Sequence, residues 1–459
     1  MNIVNPATEA KIAELPEDGP AAIAEKVKRA RAAQPAWAKR PVSERIDIIR
    51  RFSAALTAHK DELALTLTRE MGKPIKQAHN ELAAMPGRID YFLKSTASLL
   101  EDSTVWREEG HPLPKLEETI AFEPLGVVAN ISAWNYPYFV GSNVFVPALL
   151  TGNAVVYKPS ELTSMTGLAI ARLLYEAGVP TDIFATVIGG GAAGAQLLEQ
   201  PIDAIFFTGS HGTGRKISEA VASRLMKVQL ELGGKDPTYV ADDVDVKAAA
   251  EGLADGAFYN TGQSCCSVER IYVHQKIAPA FIDAFVETVR GFVIGDPEDP
   301  NTYIGPLART AQLAVLEAQT ALAVKAGARL LCGGKRIERK GAYFAPTVLA
   351  DVTNQMAGMR EESFGPIIGI QTVASDEEAI GLMNDNDYGL TAGVYTKDRA
   401  RARGILEKVD AGSVYWNCCD RVSPRLPWTG RKHSGIGSTL STLGIRTFLQ
   451  PKAWHLRAP

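Results

Sequence analysis

The segment FYNTGQSCCSVERIYV places two adjacent cysteines, Cys265 and Cys266, in a polar loop just before an apolar run. A cysteine thiolate is a strong nucleophile, but most cysteines in folded proteins are small buried hydrophobic residues. A catalytic Cys265 would need a nearby base or electropositive surroundings. The seven histidines are scattered along the sequence, and none lies in a catalytic context. The pattern therefore weakens the hypothesis of a cysteine–histidine hydrolase.

A carboxylate is the better candidate for the base. Glu231 ends the apolar run KVQLE, and two glycines follow it closely. A carboxylate at the end of a buried strand is unfavourable unless it has a function or a partner. Asn135, in the turn SAWNYPYF, could donate a hydrogen bond to a developing oxyanion, or it could simply stabilise the turn. Cys265, Glu231 and Asn135 are therefore the candidate catalytic residues.

Two glycine-bearing turns are candidate nucleotide sites. In IFATVIGGGAAGAQLL, residues Gly189, Gly191 and Gly194 have the spacing at which backbone N–H groups and a helix N-terminus can bind a dinucleotide. An ordinary glycine-rich turn fits equally well, because the acidic residue expected about 20 positions later is missing. The second turn, FFTGSHGTG, again ends a strand-like run and opens a helix-like one. Together the turns favour a nucleotide site without defining its geometry.

A lysine marks a third position of this kind. Lys158 ends the run AVVYK, and the proline after it stops strand pairing there. Ligands of open parallel sheets bind at the carboxyl ends of the strands. Lys158 therefore either contacts a ligand or forms a solvated pair with the glutamate of YKPSE.

The pattern of strands and helices predicts how these residues are held. The first hundred residues have mainly helical apolar spacing, as in PVSERIDIIRRFSAALTAH. Short β-rich runs then alternate with amphipathic runs from Glu117, and the alternation restarts near Pro237. Such alternation predicts parallel sheets covered by helices on both faces. We therefore predict the α/β class with two parallel-sheet units. The stretches WREEGHPLPKLEETIAFEP and IRTFLQPKAWHLRAP fit neither unit and are typical of sheet edges covered by a partner subunit.

Length, composition and charge limit the class of protein. At roughly 150 residues per domain, 459 residues predict two or three domains. A formal net charge of -3 offers no field for nucleic acid or an anionic membrane as the main partner. No apolar run is long enough to span a bilayer, and the amino-terminal segment lacks a signal-peptide pattern. The five cysteines have no disulfide or metal spacing. We expect a cytoplasmic protein with reduced thiols and no metal.

Taken together, these segments resemble the aldehyde dehydrogenase superfamily over nearly the whole chain. The matching motifs are, in order, NPATEAKIAELP, EPLGVVANISAWNYP, LLTGNAVVYKPSE, FFTGSHGTG, LELGGK, FYNTGQSCC, EESFGP, YGLTAGVYT and PWTGRKHSGIG. Each motif alone is weak. LELGG followed by NTGQSC, with Glu231 and Cys265 in register, is highly specific.

The resemblance implies a mechanism for the three candidate residues. Cys265 attacks the aldehyde carbon, while Asn135 and the backbone N–H of Cys265 hold the oxyanion. Hydride leaves for the nicotinamide, and a thioester remains on the cysteine. Glu231 then activates the water that releases the carboxylic acid.

The resemblance also implies NAD as the cofactor, or alternatively NADP. A carboxylate at Glu161 that accepts hydrogen bonds from the adenine ribose would repel the extra phosphate of NADP. The family binds its dinucleotide unlike a standard Rossmann protein, so the glycines of GGGAAG are expected to pack on the adenine side. The implied cofactor-binding residues are Trp134, Lys158, Ser160, Glu161, Gly191, Gly194, Phe207, Gly209, Ser210, Gly214, Leu232, Gly233, Glu362 and Phe364.

The substrate pocket implied by the resemblance consists of Tyr136, Asn143, Tyr259, Cys266, Val422 and Trp428. Succinate-semialdehyde relatives carry arginines at two of these positions, Asn143 and Tyr259, which disfavours a substrate with a carboxylate. Arg421 and Arg425 near the same wall keep an anionic substrate open. We expect an uncharged aromatic or aliphatic aldehyde. The alternatives are an aminoaldehyde, a semialdehyde or a CoA-acylating reaction.

Two departures from the family concern the proton path. A lysine and a glutamate that help relatives move the proton from the general base are replaced here by Val144 and Thr439. We therefore expect a different exit path for that proton.

By the same resemblance, residues 1–103 and 125–235 form a Rossmann-like cofactor-binding domain and residues 236–438 a catalytic domain. Residues 104–124 and 439–459 are expected to form a small β element. This element would join copies of the chain into a homodimer or homotetramer.

Overall fold

The computed structural model of the chain describes residues 1–419 and 421–458. Helices alternate in it with the strands of two mainly parallel sheets, so the predicted α/β class is confirmed. The α-helices are α1 Pro20–Ala38, α2 Val42–Ala58, α3 Lys60–Met71, α4 Ile75–Leu99, α5 Pro137–Leu150, α6 Ser164–Ala177, α7 Gly191–Leu198, α8 His211–Val221, α9 Val246–Phe258, α10 Ala278–Arg290, α11 Ala311–Lys325, α12 Ala357–Arg360, α13 Asp376–Asn384, α14 Arg399–Leu406 and α15 Ser441–Arg446. The strands are β1 Asn2–Val4, β2 Lys11–Glu14, β3 Ser103–Glu108, β4 Leu116–Pro124, β5 Val127–Ile131, β6 Ala154–Lys158, β7 Phe184–Thr186, β8 Ala204–Thr208, β9 Lys227–Glu231, β10 Asp236–Val240, β11 Val268–His274, β12 Arg329–Cys332, β13 Thr347–Ala350, β14 Ile367–Val373, β15 Tyr388–Gly389, β16 Thr391–Tyr395, β17 Ser413–Trp416, β18 Arg431–Lys432, β19 Gly435–Ile436 and β20 Leu449–Arg457.

The first large sheet has six strands in the order β19-β9-β8-β5-β6-β7. Its strands are parallel except for the short edge strand β19. β5, β6 and β8 are almost wholly buried, as strands covered on both faces must be. The register sets Ile131 beside Lys158 and Phe207, and Thr208 beside Glu231. The carboxyl ends of four neighbouring strands therefore bring candidate residues to one edge.

The amino-terminal helices complete the core of this sheet. Buried side chains of α1 to α4 pack in the same apolar cluster as β5, β6 and β8. The tail contributes as well, because Leu440, Ile445 and Phe448 are buried in that cluster. Phe448 stacks on Phe206 of β8 with ring centroids 4.4 Å apart.

The second large sheet has seven strands in the order β12-β13-β14-β11-β10-β16-β17. All of its pairs are parallel except β12 with β13 at one edge. Its first strand along the chain, β10, begins at Asp236, one residue before the predicted restart at Pro237. β11 lies near the centre of this sheet and directly follows the cysteine loop. The sheet therefore anchors that loop on its carboxyl side.

A separate antiparallel sheet contains β20, β4 and β3. β20 pairs with β4 over its whole length, from Leu449 opposite Pro124 to Arg457 opposite Leu116. The two stretches that the sequence singled out thus pair within one chain. Within the predicted element 439–459, strand β20 begins at Leu449, and Leu440, Ile445 and Phe448 before it pack in the first core.

Two searches of the described residues gave negative results. No helix in residues 1–419 and 421–458 is long and apolar enough to cross a membrane. Over the same ranges, no group of three or more His, Cys, Asp or Glu residues is arranged to hold a metal ion.

Candidate active site

The loop that carries Cys265 has an unusual backbone. Asn260, Thr261 and Gly262 all have positive φ, at 54°, 59° and 70°. This region is unfavourable for residues with a side chain and persists only where the surroundings fix it. A Cβ on Gly262 would lie 2.3 Å from the carbonyl oxygen of Gly365, so only glycine fits there. The turn therefore has one conformation, which sets the position of the following cysteine.

Buried hydrogen bonds hold this turn from outside. The Asn260 backbone N–H donates to Gln77 Oε1 at 2.8 Å, and the Gly305 N–H donates to Thr261 Oγ1 at 3.1 Å. Gln77 lies on α4, far away in sequence, and the sequence patterns did not single it out. The first bond satisfies a buried backbone N–H of the turn, and the second joins the Thr261 side chain to the backbone at Gly305.

Glu231 reaches the cysteine from the end of β9. Its carboxylate is buried and lies in hydrogen-bond contact with Cys265. The Trp428 indole Nε1–H donates to Glu231 Oε1 at 3.0 Å. Burial raises the pKa of Glu231 to about 7, while the bonds from Trp428 and Cys265 act in the opposite direction. Near neutral pH the carboxyl group can therefore either accept or donate a proton.

The pKa of the Cys265 thiol is raised as well. A hydrogen bond with Cys266, burial and the charge of Glu231 together raise the pKa of Cys265 well above its ordinary value. In the free protein the group is therefore a thiol, with a carboxylate in contact that can take its proton.

Asn135 lies between β5 and α5 and is tied to the cysteine loop. Its side-chain Nδ2 donates to the Gln263 carbonyl at 3.2 Å, and Asn260 Nδ2 donates to the Asn135 carbonyl at 3.3 Å. An amide NH₂ has two donor hydrogens, and the bond to Gln263 uses one. The other can donate to an oxygen atom bound beside the thiol.

Two cavities meet at the thiol. One has a volume of about 730 Å³ and the other about 1090 Å³. Thr208, Glu231 and Cys265 line both. All predicted pocket residues line the smaller cavity: Tyr136, Asn143, Tyr259, Cys266, Val422 and Trp428. The cysteine and carboxylate thus lie between two compartments that can hold two different molecules.

The larger cavity collects the predicted cofactor residues except one. Its lining includes Trp134, Lys158, Ser160, Glu161, Gly191, Gly194, Phe207, Gly209, Ser210, Leu232, Gly233, Glu362 and Phe364, together with Asn135. Gly214 instead lies within α8 on its buried face, where an added Cβ would be 2.6 Å from Leu232 Cδ2. Gly214 therefore allows close packing of the helix and does not line the cavity.

Polar groups of the larger cavity come from the carboxyl end of strand β6 and from the start of helix α8. Lys158 is 4% exposed, and its Nζ donates only a long bond, 3.3 Å, to the Pro159 carbonyl. Burial lowers the pKa of Lys158, and the nearby Glu161 opposes that shift. Ser210 accepts a hydrogen bond from the Thr213 N–H as the N-cap of α8. The buried lysine thus has unused donor capacity that faces the cavity.

Glu362 also lines the larger cavity. The Gly234 N–H donates to Glu362 Oε1 at 3.1 Å, and an added Cβ on Gly233 would lie 2.4 Å from that carboxylate. Burial, with the charge of Glu269 as a smaller cause, raises the pKa of Glu362 to about 8. Phe364 meets Trp134 edge to face, with ring centroids 5.4 Å apart.

Glu269 holds this loop and was not identified from the sequence. Its carboxylate accepts the backbone N–H groups of Ser363 and Phe364 at 2.9 and 3.0 Å. Lys235 Nζ contacts the same carboxylate at 2.6 Å, and both side chains are buried. The pair fixes the loop against the sheet, and with it the position of Glu362.

The chain matches known proteins over nearly its whole length. The family model described as "Aldehyde dehydrogenase family" matches residues 1–454. The chain belongs to the aldehyde dehydrogenase family. It is 36% identical over 450 residues to a succinate-semialdehyde dehydrogenase (NADP(+)) from Deinococcus radiodurans, covering 98% of this chain and 93% of the relative. It is 37% identical over 455 residues to a betaine aldehyde dehydrogenase from Cereibacter sphaeroides, covering 99% of this chain and 93% of the relative.

The structure of this aldehyde dehydrogenase is also similar to solved structures of the family. The crystal structure of lactaldehyde dehydrogenase from Escherichia coli matches with a TM-score of 0.95 and 34% identity, covering 100% of this chain and 96% of that chain. These matches confirm the resemblance inferred from the motifs and the fold class with two α/β domains.

Among the residues that line the smaller cavity, Arg88 is a charged one that was not identified from the sequence. Arg88 lies on α4 and lines the cavity although its side chain is buried. A signal was present, because Arg88 shares the buried face of α4 with Met85 and Phe92 at helical spacing. A charged residue within an apolar stripe needs a partner or a function.

Proposed function

We propose that this aldehyde dehydrogenase oxidises an aldehyde to the carboxylic acid with NAD, or alternatively NADP, and uses Cys265 as the nucleophile. One observation carries the proposal: Cys265 and Glu231 lie where the two cavities meet. The smaller cavity would hold the aldehyde and the larger one the dinucleotide. The thiol would then have the reacting carbon on one side and the hydride acceptor on the other.

The residues of the larger cavity fit a dinucleotide. Lys158 and Glu161 offer a donor and acceptors for the adenine ribose, and Glu362 offers acceptors for the second ribose. The start of α8 at Ser210 provides backbone N–H groups suited to phosphates. When bound, the dinucleotide supplies the acceptor for a hydride. A carboxylate at Glu161 favours NAD, since a 2′-phosphate would meet its negative charge.

In the proposed mechanism, each catalytic group acts through a contact described above. Cys265 Sγ bonds to the aldehyde carbon and loses its proton to the contacting Glu231 carboxylate. Asn135 Nδ2 and the backbone N–H of Cys265 donate to the developing oxyanion. After oxidation the acyl group remains on Cys265 as a thioester. After it has released the first proton to solvent, Glu231 in its carboxylate form takes a proton from water and the hydroxide attacks the thioester. That second proton then passes to the departing Cys265 sulfur, and the acid and free thiol are released.

We also propose separate roles for the parts of the chain that form the two large sheets and the small antiparallel sheet. Residues 1–103 and 125–235 would bind the cofactor, residues 236–438 would carry the nucleophile, and the small sheet would join copies into a homodimer or homotetramer. The exposed apolar side chains of that sheet support the last role, among them Trp106 and Leu456. The same assignment implies a cytoplasmic enzyme without nucleic-acid or membrane partners.

An aldehyde panel with NAD, followed by absorbance of NADH, tests the proposed activity. We expect NADH and the free acid to form without CoA, and C265A to abolish both products. C332A is the matched control, because Cys332 is half-buried and lines neither cavity. NADH formation by C265A at the unaltered rate would contradict the proposal. A requirement for CoA would replace it with a CoA-acylating reaction.

A further inference from the structure

Arg88 is a buried cation in the wall of the proposed aldehyde pocket. It lies on α4, is 5% exposed, and lines the cavity that reaches Cys265. Its guanidinium carbon lies 4.3 Å from the ring centroid of Phe139. Burial lowers the pKa of Arg88 to about 10, so the group is charged at neutral pH.

The partners of Arg88 are neutral. Nη1 donates to Asn143 Oδ1 at 2.9 Å and Nη2 donates to the Val422 carbonyl at 3.4 Å. Nε is buried without a hydrogen-bond partner. A guanidinium has five N–H donors, so most of its donor capacity is unused. In the described residues, 1–419 and 421–458, no carboxylate forms an ion pair with it.

The nearest acidic influence on Arg88 is already engaged. Glu81, about two turns earlier on α4, raises the pKa of Arg88 only through its charge. That carboxylate contacts Lys73 Nζ at 2.6 Å and accepts the Tyr138 N–H at 2.9 Å. Because Lys73 neutralises Glu81, the charge of Arg88 is left without a dedicated counter-ion.

Arg45 shows what a purely structural buried arginine looks like in this protein. It is 4% exposed and donates to four backbone carbonyls, those of Trp37, Ala38, Arg40 and Leu150. It lines neither cavity. Arg88, equally buried, makes half as many bonds and faces a cavity. An unpaired buried charge is strongly unfavourable unless a ligand supplies the opposite charge.

The exposed charged residues of the cavity lining are arginines, whereas its acidic residues, Glu81, Glu231 and Asp255, are buried or half-buried. Arg421 and Arg425 line the same cavity and are exposed. Cationic side chains around an opening attract anions and raise their local concentration. An anion attracted by Arg421 and Arg425 could therefore bind to Arg88 inside the cavity.

We propose that the substrate is an aldehyde with a carboxylate at its other end, and that Arg88 binds this carboxylate. The inference rests on the proposed function, because it places the aldehyde in the smaller cavity. A carboxylate fits better than a phosphate, since one guanidinium neutralises a single negative charge. The sequence had disfavoured such a substrate because Asn143 and Tyr259 are not arginines. In the structure, an arginine from the neighbouring helix reaches Asn143 instead.

Paired substrates of equal length test the proposal. We expect kcat/KM for 4-oxobutanoate to exceed that for butanal, and R88Q to lower it by about 10- to 100-fold, mostly through KM, as expected for loss of charge-assisted hydrogen bonds. Butanal oxidation by R88Q should fall less than oxidation of 4-oxobutanoate, because butanal has no carboxylate for Arg88 to bind and glutamine can still donate to Asn143. R88K, which keeps the charge, should restore part of the preference.

The matched control is R45Q, which removes an equally buried arginine outside both cavities. We expect it to leave the ratio of the two kcat/KM values unchanged even if it lowers stability. Succinate should inhibit butanal oxidation competitively in the native enzyme, and this inhibition should be lost in R88Q. If Arg88 were only structural, its replacement would not remove the inhibition by succinate.

Three results would overturn the proposal without touching the proposed function. These are Cys265-dependent oxidation of butanal with no preference for 4-oxobutanoate, an equal loss on both substrates in R88Q, and a preference for a cationic aminoaldehyde. By contrast, the absence of NADH formation with every aldehyde of the panel would overturn the proposed function itself.

Discussion

At the residue scale, the state of Glu231 determines what the thiol can do. The carboxyl group must be ionised to take a proton, and burial raises its pKa to about 7. The Trp428 indole bond opposes burial by stabilising the ionised form. Trp428 was predicted only as a wall of the pocket, and its hydrogen bond gives it a positioning role.

The pKa of Glu231 predicts the pH dependence of acyl-enzyme hydrolysis. The carboxylate is the active form, so hydrolysis should rise as the pH passes upward through about 7 and fall below it. W428F removes the donor that stabilises the carboxylate. It should therefore move the rising part of the pH–rate profile, here called the pH limb, to higher pH. The steady-state rate of NADH formation after the initial burst, measured across a range of pH values, would show where the pH limb lies.

W416F is the matched control for W428F. The Trp416 indole donates to the Thr396 carbonyl and lines neither cavity. It should leave the pH limb in place. An unshifted limb in W428F would mean that the indole bond does not act on Glu231.

At the element scale, the turn before Cys265 controls the position of the nucleophile. Three consecutive residues with positive φ lie between α9 and the cysteine, and the Gln77 side chain and the Gly305 backbone N–H hold them. The large sheets on either side supply the rigid frame. Such a turn contributes to function through its position and does little for stability by itself.

G262A tests this role. The left-handed backbone and the contact of 2.3 Å with Gly365 leave no room for a methyl group. We expect a loss of about 1–3 kcal/mol in the free energy of unfolding and a large drop in kcat as Cys265 is displaced. Thermal unfolding and steady-state kinetics would measure both effects.

G404A is the control for G262A. Gly404 lies within α14, with nothing within 4 Å of an added Cβ. Alanine should be neutral or slightly stabilising there, because it favours helix more than glycine does. Full activity and stability in G262A would show that the turn tolerates displacement.

At the scale of the whole molecule, the small sheet leaves apolar side chains uncovered. Leu456 on β20 and Trp106 on β3 are among them. An exposed edge of this kind is a template for pairing with another chain. Its position at the end of β20 agrees with the role in assembly that we propose.

Light scattering tests the assembly. We expect a dimer or tetramer, and we expect L456E to shift it toward smaller species by placing charge in an apolar contact. L443E is the control, because Leu443 is exposed on α15 outside the small sheet. A monomer at working concentrations would contradict the proposed assembly.

The sequence by itself determined the class of fold, the family and the chemical roles to be tested. Strand–helix alternation is a local signal, and Glu231, Asn135 and Cys265 each lie at a strand end or in a turn with recognisable neighbours. Only the tertiary structure decided which groups meet. The bond between Trp428 and Glu231, the packing role of Gly214 and the unpaired charge of Arg88 all depend on elements distant in sequence. No local pattern records such contacts, because hydrogen bonding and burial are set by packing between elements.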